Sequence, residues 1–210
     1  QGERAVVACD VGDLRIARGE QVALIGRSGT GKTTLLHVLA GILRPDTGTV
    51  EIAGQRLDSL SESQRDRFRG QHIGMVYQTF NLLQPFTAFE NVMLGALFGR
   101  GAGSAVEARA RQLLDRVGLG DRMHHRPSEL SVGQVQRVAI CRALVNDPEV
   151  VLMDEPLGNQ DRATGAQVLD LLLQIAREGD KTVVMVTHDP DSATRMQRTV
   201  DLATLRRVAS

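Results

Sequence analysis

Gln21-Val22-Ala23-Leu24-Ile25 runs directly into Gly26-Arg27-Ser28-Gly29-Thr30-Gly31-Lys32-Thr33-Thr34. The first five residues have the length and apolarity of a buried strand, and the residues from Lys32 to about Ala40 have a helical pattern that Gly41 closes. Between them lies G-x-x-x-x-G-K-[ST], in the strand-to-helix setting that gives this pattern its meaning. Glycines let the loop curl so that successive backbone N–H groups point inward at phosphate oxygens, beside the positive end of the helix dipole. Lys32 is placed to reach the β- and γ-phosphates, and the Thr33 hydroxyl to ligate Mg²⁺. Only Lys32 and Lys181 are lysines among the 25 basic residues. In so arginine-biased a chain, a lysine at the one position that needs a compact ammonium is informative.

Outward from the junction, apolar runs alternate with helical patterns. Pro45-Asp46-Thr47-Gly48 reads as a turn, Thr49 to Ala53 as a short alternating strand, and Ile73 to Tyr77 as a strand ending at Gln78. From about Thr79 to Asn146 the pattern is helical with no clear strand, and Ser104-x-x-Glu107 and Ser131-x-x-Gln134 read as capping boxes. Strands return at Glu149 to Met153 and Thr182 to Thr187, separated by a helix over roughly Ala163 to Arg177. The expected fold is α/β, with a mostly parallel core sheet. The core is assigned to residues 1–78 and 146–210, and an inserted helical subdomain to 79–145. Gly99 to Gly103 is expected to be a flexible loop.

The chain has 210 residues, 42% of them hydrophobic and 24% charged, the composition of one ordinary globular domain. No apolar run approaches the roughly 18 to 20 residues of a membrane helix. No signal peptide is visible, and the first residue is Gln1 rather than Met. The 25 basic residues are balanced by 25 acidic ones, which argues against a nucleic-acid partner. Cys9 and Cys141 match no disulfide or metal spacing and are expected to be small buried hydrophobes in a reducing compartment.

Val150-Val151-Leu152-Met153 delivers Asp154 and Glu155 to a strand end, where the crevice at the sheet's carboxyl edge also receives the glycine-rich loop. Asp154 can hold Mg²⁺ through a water. Glu155, pointing to the other side, can orient and deprotonate an attacking water. Thr187-His188-Asp189 ends the next strand, so His188 can reach a γ-phosphate. Gln78, also at a strand end, can contact the metal or the water.

Leu130-Ser131-Val132-Gly133-Gln134 resembles the signature of ABC transporter ATP-binding domains, and the run from Pro127 through Pro156 is similar to that family throughout. The glycine-rich loop, Gln78, the signature, Asp154-Glu155, a D-loop Asp161 and a switch His188 stand in family order. The stretches LLQPFTAFENV (82–92), HRPSELS (125–131) and RALVNDP (142–148) resemble the LolD/MacB/FtsE-like group. The resemblance implies a P-loop core with a mostly parallel sheet, a small antiparallel N-terminal β part and an inserted helical signature subdomain. It implies an ATPase that works as a head-to-tail homodimer, with Ser131, Val132, Gly133 and Gln134 of one copy closing over ATP held by Gly26 through Thr34 of the other. Three departures stand out. Val132 replaces the first signature glycine, where a β-branched side chain crowds a closed dimer. Leu157 and Gln160 replace the family's Thr and Leu around the D-loop. No aromatic residue precedes Phe68, so the adenine-stacking residue of the family's first strand is either absent or lies before Gln1.

Tyr77, Phe80, Phe86, Phe89 and Phe98 cluster after the core strand, and some of them are expected to form the core of the helical subdomain. Phe80, Leu82, Leu83, Pro85 and Phe86 show no helical period and are expected to form an exposed apolar groove. In the resembled family this region, here Gln78 to Phe89, receives a transmembrane permease. The expectation is therefore an ATP- and Mg²⁺-dependent subunit at the cytoplasmic face of a bacterial inner membrane, serving cargo of the lipoprotein-release or export type. The alternative is a regulatory, mechanotransmitting subunit of an FtsEX-like complex. An ABC ATPase acting on DNA or ribosomes fits less well, since no heptads lie between Lys32 and Ser131 and there is a single ATPase domain.

Overall fold

The computed structural model describes residues 8–27, 29–97, 99, 101, 103–157 and 162–205. Its centre is a five-stranded sheet made of β1 (Gln21–Ile25), β4 (Ile73–Val76), β5 (Val150–Asp154), β6 (Thr182–Thr187) and β7 (Arg198–Asp201). The strand order is β4-β5-β6-β1-β7, and every pairing is parallel. A two-stranded antiparallel pair, β2 (Glu51–Ile52) and β3 (Gln55–Arg56), stands apart from it. The register sets Ile25 beside Thr187 and Asp154 beside Val186. The loops leaving β1, β5 and β6 therefore open from one edge of the sheet.

Alternation along each strand divides the interior in two. Val22 and Leu24 of β1, Leu152 of β5, and Val184 and Val186 of β6 face one core with Leu35 and Leu36. These two leucines belong to α1 (Lys32–Leu39). Ala23, Val151, Met153, Val183 and Met185 face the other core. That side is covered by α3 (Ala88–Leu97), α4 (Ser104–Arg116), α5 (Val132–Leu144) and α6 (Arg162–Glu178). Coverage on both faces is why the strands read as unbroken apolar runs. Gly74 of β4 sets how closely α5 approaches. A Cβ there would stand 2.3 Å from the Ala143 carbonyl oxygen, so the helix backbone rests directly on the strand.

Several elements differ from expectation. α2 (Glu62–His72) was not foreseen: none of its residues is buried, so it has no apolar stripe, and its signal is the Ser61–Gln64 capping box. Ser131 caps α5 as expected, its hydroxyl accepting from the Gln134 amide and its amide donating to Gln134 Oε1. Ser104 does not cap α4. Gly103 takes the cap position and its carbonyl accepts from the Glu107 amide, leaving Ser104 as the first helical residue. The groove expectation holds only in part. Leu83, Pro85 and Phe86 are exposed, but Leu82 is partly buried against the core and Phe80 is buried. Its backbone is left-handed (φ 56°), and Arg142 donates to the Phe80 carbonyl at 2.5 Å and to that of Asn81 at 2.6 Å. Cys141 is buried, and burial pushes its thiol well above the ordinary range, whereas Cys9 is only partly covered. Phe98 and parts of the Gly99–Gly103 stretch lie outside the described residues. Among the described residues no helix is long and apolar enough to cross a membrane.

Candidate nucleotide-binding and catalytic site

The loop from Gly26 to Gly31 closes on itself at the end of β1. The Thr30 amide and hydroxyl both donate to the Arg27 carbonyl, at 3.2 and 2.8 Å. Gly31 is left-handed (φ 84°), and a Cβ there would lie 2.1 Å from the Ala8 carbonyl oxygen, so only glycine fits. No side chain caps α1, so its first N–H groups remain available to a ligand. Lys32 is 8% exposed, and its ammonium donates to the carbonyls of Gly26 at 2.9 Å and Arg27 at 3.2 Å. The second lysine serves elsewhere: Lys181 pairs with Asp147 at 2.8 Å. Thr34 follows in the first turn of α1. Ser28 lies outside the described residues, as do Gln160 and Asp161.

Across the sheet edge the Thr33 hydroxyl meets the Asp154 carboxylate at 3.2 Å. Burial lifts this carboxyl above the ordinary aspartate range, and Glu155 adds to the lift, while the Thr33 hydroxyl, His37 and Lys32 oppose it. Glu155 follows with a left-handed backbone (φ 45°), a conformation that costs a non-glycine residue about 1–3 kcal/mol. Its amide donates to the Val186 carbonyl at 3.0 Å. One carboxylate oxygen, Oε2, sits 2.6 Å from Nδ1 of His188 and accepts longer bonds from the Thr187 hydroxyl and the His188 amide, both at 3.4 Å. The Glu155 side chain is 16% exposed and that of His188 71%. The carboxylate is thus held from behind by β6 while the imidazole faces outward.

The structure brings together Lys32, Thr33, Asp154, Glu155 and His188. It leaves two groups of expected residues apart. Gln78 is exposed just beyond β4, and no hydrogen bond joins its side chain to the others. Ser131 and Val132 are exposed at the start of α5, Val132 at 61%. No hydrogen bond links the signature residues to the Gly26–Thr34 loop among the described residues. Gly133 is buried against α6, where a Cβ would stand 3.0 Å from the Thr164 methyl carbon. A cavity of about 520 Å³ lies among Leu14, Ile16, Leu39, Ile52 and Val184, reaching Val150 and Thr182 at the amino ends of β5 and β6. That is the sheet edge opposite these charged groups. Two residues near the site escaped sequence reasoning, Arg142, which holds the loop after Gln78, and Gln136. The one available signal for Gln136 was a polar residue in the otherwise apolar stripe of α5.

Comparison with known proteins places the chain in a family. Residues 10–158 match the family model described as ABC transporter. The chain belongs to the ABC transporter family, among its ATP-binding, ATP-hydrolysing cassettes. Within that family it is similar to lipoprotein-releasing system ATP-binding proteins LolD. The LolD of Xanthomonas axonopodis pv. citri is 46% identical over 202 residues, covering 96% of this chain and 83% of that protein. The LolD of Hydrogenovibrio crunogenus is 47% identical over 190 residues, covering 90% and 83%. Among solved structures, the dimeric structure of MJ0796, a bacterial ABC transporter cassette, has a TM-score of 0.85 at 39% identity, covering 96% of this chain and 89% of that one. The dimeric post-hydrolysis state of MJ0796 bound to ADP and Pi has the same score and coverage at 38% identity.

Proposed function

We propose that this chain powers a membrane transporter that releases lipoproteins, hydrolysing Mg²⁺-ATP between two copies arranged head to tail at the cytoplasmic face of a bacterial inner membrane. The observation that carries the reading is the convergence of Lys32, Thr33, Asp154 and the Glu155–His188 pair at one sheet edge. The similarity to LolD supports the cargo class, and the dimeric MJ0796 cassette supports the pairing.

The assigned residues divide the work. Amides of the Gly26–Gly31 loop and of the first turn of α1 bind phosphate oxygens, and Lys32 exchanges the Gly26 and Arg27 carbonyls for the β- and γ-phosphates. Arg27, Ser28, Gly29, Thr30 and Thr34 complete this cradle. Thr33, Asp154 and Gln78 would hold Mg²⁺; hydroxyl, carboxylate and amide oxygens are the hard ligands this ion takes. When bound, the ion neutralises charge developing on the transferred phosphoryl group. Glu155 accepts the proton of the attacking water as its oxygen bonds to the γ-phosphorus and the bond to the β-phosphate oxygen breaks. His188 orients the Glu155 carboxylate and meets the γ-phosphate. Ser131 and the amide of Gly133 cap the γ-phosphate held by the other copy, flanked by Val132 and Gln134, and Asp161 lies at the seam. A P-loop core of 1–78 and 146–210 with an inserted subdomain of 79–145 places the signature on the insertion. The permease docks near Gln78–Phe89, where Leu83 and Phe86 are 48% and 38% exposed.

The test is ATP turnover by the purified chain, alone and with its permease in lipid. Hydrolysis should need Mg²⁺ and stop when the metal is chelated. Absence of turnover in both settings would overturn the assignment.

Val132 offers a second test of the dimer. Its side chain projects from the helix start that would meet the other copy. Val132→Gly should therefore raise the hydrolysis rate about fivefold, the equivalent of roughly 1 kcal/mol of crowding relieved. The substitution costs α5 less than about 1 kcal/mol at this terminal position. A lower rate from an intact fold would show that the valine suits this interface.

A further inference from the structure

The residue after the proposed base is Pro156, and its carbonyl accepts a hydrogen bond from Gln136 Nε2 at 2.8 Å. Both partners are buried, Gln136 with 1% of its surface exposed. The other end of the same amide, Oε1, is buried with no hydrogen-bond partner among the described residues. An orphaned buried acceptor is unfavourable, and an apolar side chain of similar shape would avoid it. Gln136 also lies in the buried stripe of α5 with Gly133, Ala139, Ile140 and Ala143, all of them without polar side chains. Packing alone gives no reason for an amide at this position. The bond to Pro156 does.

What that bond restrains is unusual backbone. Glu155 is left-handed, and such strain persists only where the surroundings over-determine it. Here they do so from two sides. The Glu155 amide is tied to Val186 of β6, and the Pro156 carbonyl is tied to Gln136 of α5. We propose that Gln136 is a positioning residue for Glu155. Through the Pro156 carbonyl it holds the turn that aims the carboxylate at the sheet edge. It also joins that turn to the helix that Ser131 caps, so engagement of the helix start by a second copy and the aim of the base share one rigid element. The inference rests on the reading of Glu155 as the base, and Gln136 itself touches no reacting atom.

Gln136→Met keeps length and volume but removes both amide functions. In the full chain, kcat should fall about 10- to 100-fold, the usual penalty for small misplacement of a reacting group. KM and equilibrium ATP affinity should stay within about twofold, because Lys32 and the phosphate-binding loop lie at the end of a different strand. The melting temperature should move by no more than about 3 °C. Glu155→Gln is the control. In that background Gln136→Met should remove little further single-turnover rate, since there is no base left to misplace. Gln136→Glu adds a rescue: its rate relative to wild type should rise from about pH 8 to about pH 6, as a protonated carboxyl offers an O–H to the Pro156 carbonyl. Wild-type kcat in Gln136→Met, or a full multiplicative loss in the Glu155→Gln background, would overturn the positioning role while leaving the base in place. A normal rate in Glu155→Gln itself is instead the failure of the base assignment. If Gln136→Met does not fold, the pH dependence of Gln136→Glu decides, and a flat ratio to wild type overturns the inference.

Discussion

Lys32→Ala should lose ATP affinity by about 10²- to 10⁴-fold while the chain keeps its fold. The lysine makes two hydrogen bonds at its ammonium, to the Gly26 and Arg27 carbonyls. Each would become a charge-assisted bond to a phosphate oxygen, and such bonds contribute roughly 1.5–3 kcal/mol apiece. Two of them amount to about 3–6 kcal/mol, the source of the expected range. No second lysine is at hand, since Lys181 is engaged with Asp147 at the start of β6. The fold survives because α1 is held by Leu35 and Leu36 in the core beneath it. Lys32→Arg keeps the charge, yet a planar guanidinium cannot enter a loop closed around a compact ammonium, so it should recover only part of the loss. Equilibrium binding of a fluorescent ATP analogue, with a thermal melt on each variant, reads both halves. Near-normal affinity in a folded Lys32→Ala would remove the phosphate site from this loop.

The parts of the molecule that were legible in the sequence are those where local chemistry and tertiary role coincide. β1 and β6 are covered on both faces, so each is an apolar run whose ends are visible, and both appear as read. β7 is an edge strand with alternating partly covered and exposed residues, too short and too polar to stand out. α2 has no fully buried residue and rests on the core only through Phe68, so it carries no apolar stripe and its cap is its main sign. Ser104 shows the limit of a cap motif, since the spacing to Glu107 is met but the backbone makes Gly103 the cap. Phe80 was misplaced for a tertiary reason. Its left-handed backbone is held by Arg142, a residue far along the chain, and no local pattern encodes that pairing. The same holds for the site. The glycine-rich loop, the strand-end acids and His188 declare themselves by motif and position, whereas Gln136 reaches Pro156 only because α5 packs against the turn after β5.

Glu155→Gln should keep ATP binding, lose hydrolysis and turn the chain into a stable dimer in the presence of ATP. The glutamine has the same length and can still accept from the Thr187 hydroxyl and the His188 amide through its carbonyl oxygen. Its contact with His188 survives if the imidazole nitrogen now within 2.6 Å donates to that oxygen. What is lost is the proposed base, and loss of general-base assistance typically costs about 10²- to 10⁴-fold in rate. Affinity should hold, because Lys32 and the loop amides lie at the end of β1 and are untouched by the change. With hydrolysis blocked, ATP should persist in each loop long enough for the proposed closure of Ser131 and Gly133 of the second copy over its γ-phosphate. ADP lacks that group, so dimerisation should be strong with ATP and Mg²⁺ and absent with ADP. Light scattering after size exclusion, at equal protein concentration with each nucleotide, gives the mass directly. Hydrolysis at the wild-type rate would remove Glu155 from the chemistry. A variant that binds ATP yet stays monomeric would keep the base and count against the paired arrangement. In that case Val132, 61% exposed at the surface meant to close, is the side chain to replace first, and the Glu155→Gln, Val132→Gly double variant should dimerise if crowding alone keeps the copies apart.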